Sequence, residues 1–457
     1  MTEQDLVTCH CIIGHPSKPK FLVIKHKKGW APPVLMFEPG FIDYRAEMIS
    51  FGMMQKYGLN TRVLRPLMAT PRYHCVELEL PEQAQNEGLR AVWVDIDDYS
   101  KFRGVRDGKK DIFEDWLKQA AKREVPAQRS PWQQAGWFDK ADAWIREQFA
   151  EMDIKVTGEV QQYRVGWNAS CLLTVPTEKG RYFFKAAYAK PPAEARLTKA
   201  LSAAWPEHVI SPLAVHEENN WMLNADYTRE GTLRPGPEVV PDFASAMAKI
   251  QIAAAENLEH WKQLGCPQHG LDYLDENIAQ KDQFLPHFLV GENRLTDAEL
   301  RQFARALEQC MQACDQLKTL ELPDTLVHRD FRVDNLVRQG DSSFITDWAD
   351  TVIGQPFFLL DHFYMGQTSE LLAMDAVDAT AQAVKEAYLA GWEHRLSPEK
   401  VQQAFQLAHG LFPLWRLCHA FEEIGWVETD SPRYWHFQSL VQLLARNMIA
   451  SSQQSPD

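Results

Sequence analysis

Residues 327–350 read VHRDFRVDNLVRQGDSSFITDWAD, and the rest of the chain is best read outward from them. The stretch carries His328, Asp330, Asn335 and Asp347, with four residues between Asp330 and Asn335. On a loop, that spacing lets the aspartate face a substrate hydroxyl while the asparagine amide oxygen turns to a metal ion. After Asn335 the pattern is strand LVR, turn QGDS and strand FIT. So short a hairpin returns Asp347 to the side of Asn335, and two oxygen-bearing side chains then suit one hard cation. Each residue alone has a plainer reading, since an aspartate before a strand is commonly a cap or turn residue.

Together they form HxDxxxxN followed by a hairpin and an aspartate ending an apolar strand, the pattern of a kinase-like catalytic loop. Asp330 is then the expected catalytic base, Asn335 and Asp347 are the expected magnesium ligands, and Asn335 also counts toward the nucleotide site. His328 is expected to hold the loop through backbone hydrogen bonds rather than to react. Such a loop works with an upstream lysine on the ATP α and β phosphates and a helix carboxylate that holds it. GRYFFKAAYAKPPAEARLTKAL, residues 180–201, supplies both: Lys185 ends an aromatic-rich strand and Glu194 follows nine residues on. Read singly, Lys185 is a solvated strand-end lysine and Glu194 a partner for Arg196 or Lys190. The preceding YRVGWNASCLLTV, residues 163–175, is the expected phosphate-covering hairpin. It has only Gly166 where a protein kinase has three glycines, leaving backbone near Asn168, Ala169 and Ser170 to meet phosphate. Backbone around Asn224 to Tyr227 is the candidate adenine contact.

These residues resemble the aminoglycoside phosphotransferase and choline kinase superfamily over residues ~135–450. The resemblance rests on FFK at 183–185, Glu194, HRDFRVDN at 328–335, ITDW at 345–348 and GQPFFLLD at 354–361. It implies an α+β, two-lobed protein-kinase-like fold, with a small β-rich N-lobe at 133–238 and a helical C-lobe at 239–457. It also implies ATP and Mg2+ as cofactors, a small-molecule acceptor as partner, and a supporting structural role for Asp361. Arg329 departs from the pattern, because small-molecule kinases usually carry glycine there and HRD is the protein-kinase spelling. Only eight residues separate Asp347 from Pro356, which leaves no activation loop for Arg329 to anchor. The expected activity is transfer of the γ-phosphate to a hydroxyl, or an amine, of a small molecule. A nucleotide-binding regulator without turnover, and transfer of AMP on the same residues, are the alternatives. Trp348, Asp350, His362 and the aromatics near Trp415 are candidates for choosing the acceptor.

Upstream, residues 1–123 alternate short strands (Lys20 to Lys25, Val92 to Asp95) with helices near 46–57 and 111–121. KFLVIKHKKGW, EPGF at 38–41, QKYGLN and AVWVDIDDY give this separate α/β module a resemblance to a Nudix hydrolase domain. That family's metal chemistry needs a glutamate-rich helix, and EMISFGMMQKYG keeps only Glu47, so the module is expected to be catalytically inactive. KREVPAQRSPW, residues 122–132, reads as a linker (124–132), so that residues 130–457 are expected to fold without the module. Beyond 239 long helical patterns dominate, among them Pro241 to Trp261 and Thr296 to Leu317, the latter opened by an N-cap threonine. A single hairpin, 335–347, is expected among them.

The 457 residues call for two or three domains, and 45% hydrophobic with 24% charged residues describes a globular chain. A net charge of −14 argues against nucleic acid as a partner and tolerates a cationic substrate. No apolar run is long enough for a membrane span, and MTEQDLVTCHC lacks the pattern of a signal peptide, so a cytoplasmic location is expected. The eight cysteines show neither CxxC pairs nor zinc spacing. Cys9 and Cys11 are expected to be buried strand thiols, and Cys310 and Cys314 to share the core face of a helix.

Overall fold

Period-two alternation builds the N-terminal sheets. In Val7–Ile13 the side chains of Val7, Cys9 and Cys11 are buried while Thr8 and His10 are half-buried, which sets the register of the strand against its neighbours. The structure, a computed structural model, describes residues 6–15, 18–26, 29–38, 46–81, 90–101, 110–122, 125–165, 169–188, 190–191, 193–229, 231–364, 374–429 and 431–454. Gly166 and Asn168, the latter one of the three residues expected to offer backbone to phosphate, and most of the EPGF turn lie outside the described residues. The chain divides into a unit of residues 1–188 with 427–435 and a unit of 189–426 with 436–457.

In the first unit, one sheet has the order Val34–Phe37, Val7–Ile13, Tyr73–Glu79, Arg62–Thr70. A second joins Gly29–Ala31, Lys20–His26 and Ala91–Asp95. The helix Lys110–Lys122 sends Phe113, Trp116 and Leu117 into a core with Phe21, Val23 and Cys75. The helix Ala46–Tyr57 falls where the periodicity places it, and Glu47 is its one acid. Cys9 and Cys11 are buried free thiols, as are Cys310 and Cys314 in the second unit.

The helix Trp137–Glu151 leads into an antiparallel run of Gln161–Val165, Ser170–Thr177 and Gly180–Ala187. This run is bonded to the preceding module. Val63 N donates to Gln162 Oε1 at 2.7 Å, and Gln162 Nε2 donates back to Val63 O at 2.9 Å. Gly136 N donates to Glu79 at 2.8 Å. The stretch read as a loose linker is instead packed at its end, with Ser130, Trp132 and Gln133 buried. Arg129 donates twice to Glu428, which also pairs with Arg65. Its prolines and charges suggest a linker, but Trp132 stacks edge-on with Trp137 at 6.3 Å and brings the segment down onto the fold.

The second unit is largely helical. The expected helix 241–261 is Val240–Ala254, then a turn, then Leu258–Gln263. Asp297–Lys318 opens on Thr296 with a full capping box, in which Thr296 and Glu299 satisfy each other's backbone N–H. The expected hairpin pairs Leu336–Gln339 with Ser342–Ile345. Gly340 has φ +55° at the first central position of its two-residue turn, a place that tight hairpins give to glycine. A further two-stranded sheet was not expected: Thr325–His328 pairs with Thr351–Gly354, His328 opposite Thr351. Both strands are wholly buried, so neither alternates. Behind them Gln251 donates to Leu326 O at 2.9 Å and accepts from Tyr388 Oη at 2.5 Å. Among the described residues no helix is long and apolar enough to cross a membrane.

Candidate active site

The pairing of His328 with Thr351 brings two loops to the same end of the small sheet: the one that begins at Arg329 and the one that ends at Asp350. The 336–345 hairpin closes the other side, because Leu336 faces Ile345. Just past that pair Thr346 donates to Asn335 O from both N (2.9 Å) and Oγ1 (3.0 Å). Asp347 follows at once in the left-handed region, φ 65° and ψ 61°. That conformation costs free energy for any residue but glycine, though less for Asp and Asn, and it turns the backbone out of the strand direction.

Asn335 Nδ2 donates to Asp330 Oδ2 at 2.8 Å and to Asp330 O at 2.9 Å. This network assigns the nitrogen to Asp330 and leaves the amide oxygen for a cation. Asn335 and Asp347 therefore offer hard oxygen donors of the kind magnesium takes, and the residues fit the group. His328 is fully buried and does what the sequence suggests: Nε2 donates to Thr346 O at 3.0 Å and Nδ1 accepts from Asp330 N at 3.2 Å. Burial holds its pKa below the ordinary value, consistent with that neutral tautomer.

Burial pushes the Asp330 carboxyl up to about 7 against the pull of Arg332, and the nearby Asp347 and Asp350 charges push the same way. A cation between Asn335 and Asp347 would cancel part of that repulsion. Two neighbours of Asp330 were not singled out as its partners from the sequence. Arg332 Nε lies 3.1 Å from Asp330 Oδ1. His362 Nε2 lies 3.5 Å from the same oxygen and 2.9 Å from Arg329 O. Arg332 sits inside the quoted motif and could have been found there, whereas His362 arrives through tertiary packing alone.

Ser170 and Lys185 belong to the first unit and are both half-buried. They stand on paired strands, Ser170 opposite Ala187 and Lys185 opposite Leu172. Glu194 is the first residue of the helix Glu194–Ala204 in the second unit and is buried. Asp361 is buried and ion-paired to Arg416 at 3.3 Å, and burial pushes its carboxyl up to about 6. Two acceptor candidates are core residues instead. Trp348 is buried with Nε1 bonded to Ile345 O, and Trp415 is buried against Phe358. An aromatic beside a polar motif reads equally as lining or as core, and here packing takes both.

Residues 159–397 match the model of the phosphotransferase enzyme family APH, just over half of the chain, and the chain belongs to that family. Its fold class is accordingly the α+β, protein-kinase-like one expected from the sequence. Similar solved structures include a choline/ethanolamine kinase family protein from Mesorhizobium loti at 13% identity, covering 70% of this chain and 99% of that one with a TM-score of 0.45. Plasmodium vivax ethanolamine kinase has 11% identity, covers 72% and 94%, and has a TM-score of 0.47. A thermostable mutant of aminoglycoside phosphotransferase APH(4)-Ia has 13% identity, covers 69% and 100%, and has a TM-score of 0.45. No curated protein matches the chain.

Proposed function

We propose that the protein moves the γ-phosphoryl group of ATP, bound with magnesium, to a hydroxyl or amine of a small-molecule acceptor. The observation that carries this reading is the Asn335 amide, which donates to the Asp330 carboxylate and so fixes a proton acceptor beside an oxygen ligand. Asp330 orients the acceptor hydroxyl and takes its proton late in the transfer. The Asn335 oxygen and the Asp347 carboxylate would hold magnesium, which when bound would supply positive charge against the phosphates. Lys185 is assigned to the α and β phosphates and backbone at Ser170 to covering the nucleotide, with Glu194 the carboxylate that the family pattern pairs with such a lysine. The N-terminal module performs no metal-dependent hydrolysis, since Glu47 alone cannot build the acidic ligand set.

Asp330 and Asp347 have different jobs in this scheme, so their variants separate. Asp347→Ala is expected to weaken magnesium-dependent ATP binding and abolish transfer. Asp330→Ala is expected to bind Mg-ATP nearly as the wild type does and to lose kcat by orders of magnitude. Calorimetry reads the first effect, and a transfer assay on an acceptor found by metabolite-pool screening reads the second. Transfer by Asp330→Ala at the wild-type rate would refute the assignment. A wild type that binds Mg-ATP but turns over no acceptor in a broad screen would favour a regulator.

A further inference from the structure

Arg329 precedes Asp330, and its side chain is 6% exposed. It turns its guanidinium toward a helix and a neighbouring turn. Nε donates to Asp350 O at 3.2 Å, and Nη1 donates to Glu422 Oε2 at 3.0 Å and His269 Nδ1 at 3.1 Å. His269 Nε2 in turn reaches Glu422 Oε1 at 3.1 Å. Asp350 ends the short turn Trp348–Asp350 that begins directly after Asp347. The residue before the expected base therefore grips the far end of the turn that carries the expected metal ligand.

A second cation grips the same turn from its other side. Lys190 Nζ lies 2.5 Å from Asp350 Oδ1 and also pairs with Glu423. Glu422 and Glu423 are adjacent residues of one long helix, Pro398–Trp426. Each holds one cation, and each cation holds Asp350: Arg329 by its carbonyl, Lys190 by its carboxylate. Asp350, Glu423 and His419 stand close enough to bind a metal ion, but the Lys190 ammonium already pairs with both carboxylates. Stability alone does not call for this arrangement, because well-packed apolar residues commonly serve a core as well as buried ion pairs do. What such pairs supply is a fixed geometry.

We infer that Arg329 and Lys190 are positioning residues that set the separation of Asp330 from Asp347, referenced to Glu422 and Glu423 on one helix. The inference rests on the phosphotransfer reading of those two aspartates. It is tested by Mn2+ binding to the full-length protein in the presence of ADP, read by paramagnetic resonance, together with kcat, KM and melting temperature. Arg329→Gln and Glu422→Gln are each expected to weaken Mn2+ binding about fivefold and lower kcat about tenfold, with acceptor KM nearly unchanged. The double variant is expected to be no worse than the poorer single one, since both break the same link. Arg329→Lys, which keeps charge without the fork, is expected to recover only part of the loss. Folded variants with wild-type Mn2+ affinity and kcat would overturn the inference. Should Arg329→Gln fail to fold, Glu422→Gln, which keeps the side-chain shape, decides by the same readouts. A wild type that binds no Mn2+ with ADP would refute the reading of the site itself and the inference with it, which tells the two failures apart.

Discussion

Replacing Gln251 with leucine tests whether the small buried sheet behind the Arg329–Asn335 loop is held by one carboxamide. Gln251 is fully buried, its Nε2 donates to Leu326 O at 2.9 Å, and its Oε1 accepts from Tyr388 Oη at 2.5 Å. Leucine is close in volume, so little cavity arises and the cost is mainly polar. A buried carbonyl left without its donor costs about 1–3 kcal/mol. Tyr388 loses less, because Pro356 O lies 2.7 Å from its hydroxyl and takes the proton instead. The sum is about 2–3 kcal/mol, or a fall of roughly 4–10 °C in Tm for a unit of this size. Circular dichroism melts of the full chain read the shift. Tyr388→Phe is the comparison, expected to cost about 1 kcal/mol, with a coupling of similar size in the double variant. A Gln251→Leu protein that melted with the wild type would show that the amide does not hold the sheet.

Further outcomes follow from charge and packing. The hydrogen bond from Arg446, with those from Thr296, holds Glu299 down to about 2, so its contribution is complete above the unfolded value of about 4.3 and is lost as pH falls toward 2. Glu299→Gln is therefore expected to flatten the melting curve against pH in that window and not above it, and an unchanged acid slope would refute this. Burial, with Arg329 beside it, pushes His269 down to about 2, so the unfolded chain binds the extra proton and stability declines as pH drops below about 6.5. His269→Gln should remove that part of the decline, as read by melts from pH 7 to pH 4. Deleting residues 1–122 is expected to leave the 161–187 strands poorly folded, because Gln162 and Gly136 lose their partners Val63 and Glu79. A truncated chain with full-length melting behaviour would restore the loose-linker reading.

Local structure around the candidate site was legible where pattern and geometry coincide. The 336–345 hairpin follows from QGDS between the strand-like LVR and FIT, and it is this hairpin that brings the Asn335 and Asp347 backbones to one end. The helix Asp297–Lys318 was legible because Thr296 and Glu299 spell a capping box. The 325–328 and 351–354 pairing was not, since its strands are four residues each, wholly buried and joined only across the whole 329–350 segment. Arg329 was seen as out of pattern, but its partner Glu422 lies 93 positions away on a helix with no motif. The packed end of the 122–132 stretch was misread for a similar reason: prolines and charges speak locally, while Trp132 and Arg129 find distant neighbours.

The reciprocal amide bond between Gln162 and Val63 spans 99 positions, and this bears on the order in which the chain takes shape. Synthesis delivers the N-terminal strands first, and contacts this remote carry a loop-closure cost unless one partner is already in place. Val63 can wait in a finished sheet when Gln162 emerges. The strands that carry Ser170 and Lys185 then assemble against a surface laid down before them, so a slowly folding or damaged module would delay the 170–187 hairpin even where every residue of that hairpin is intact.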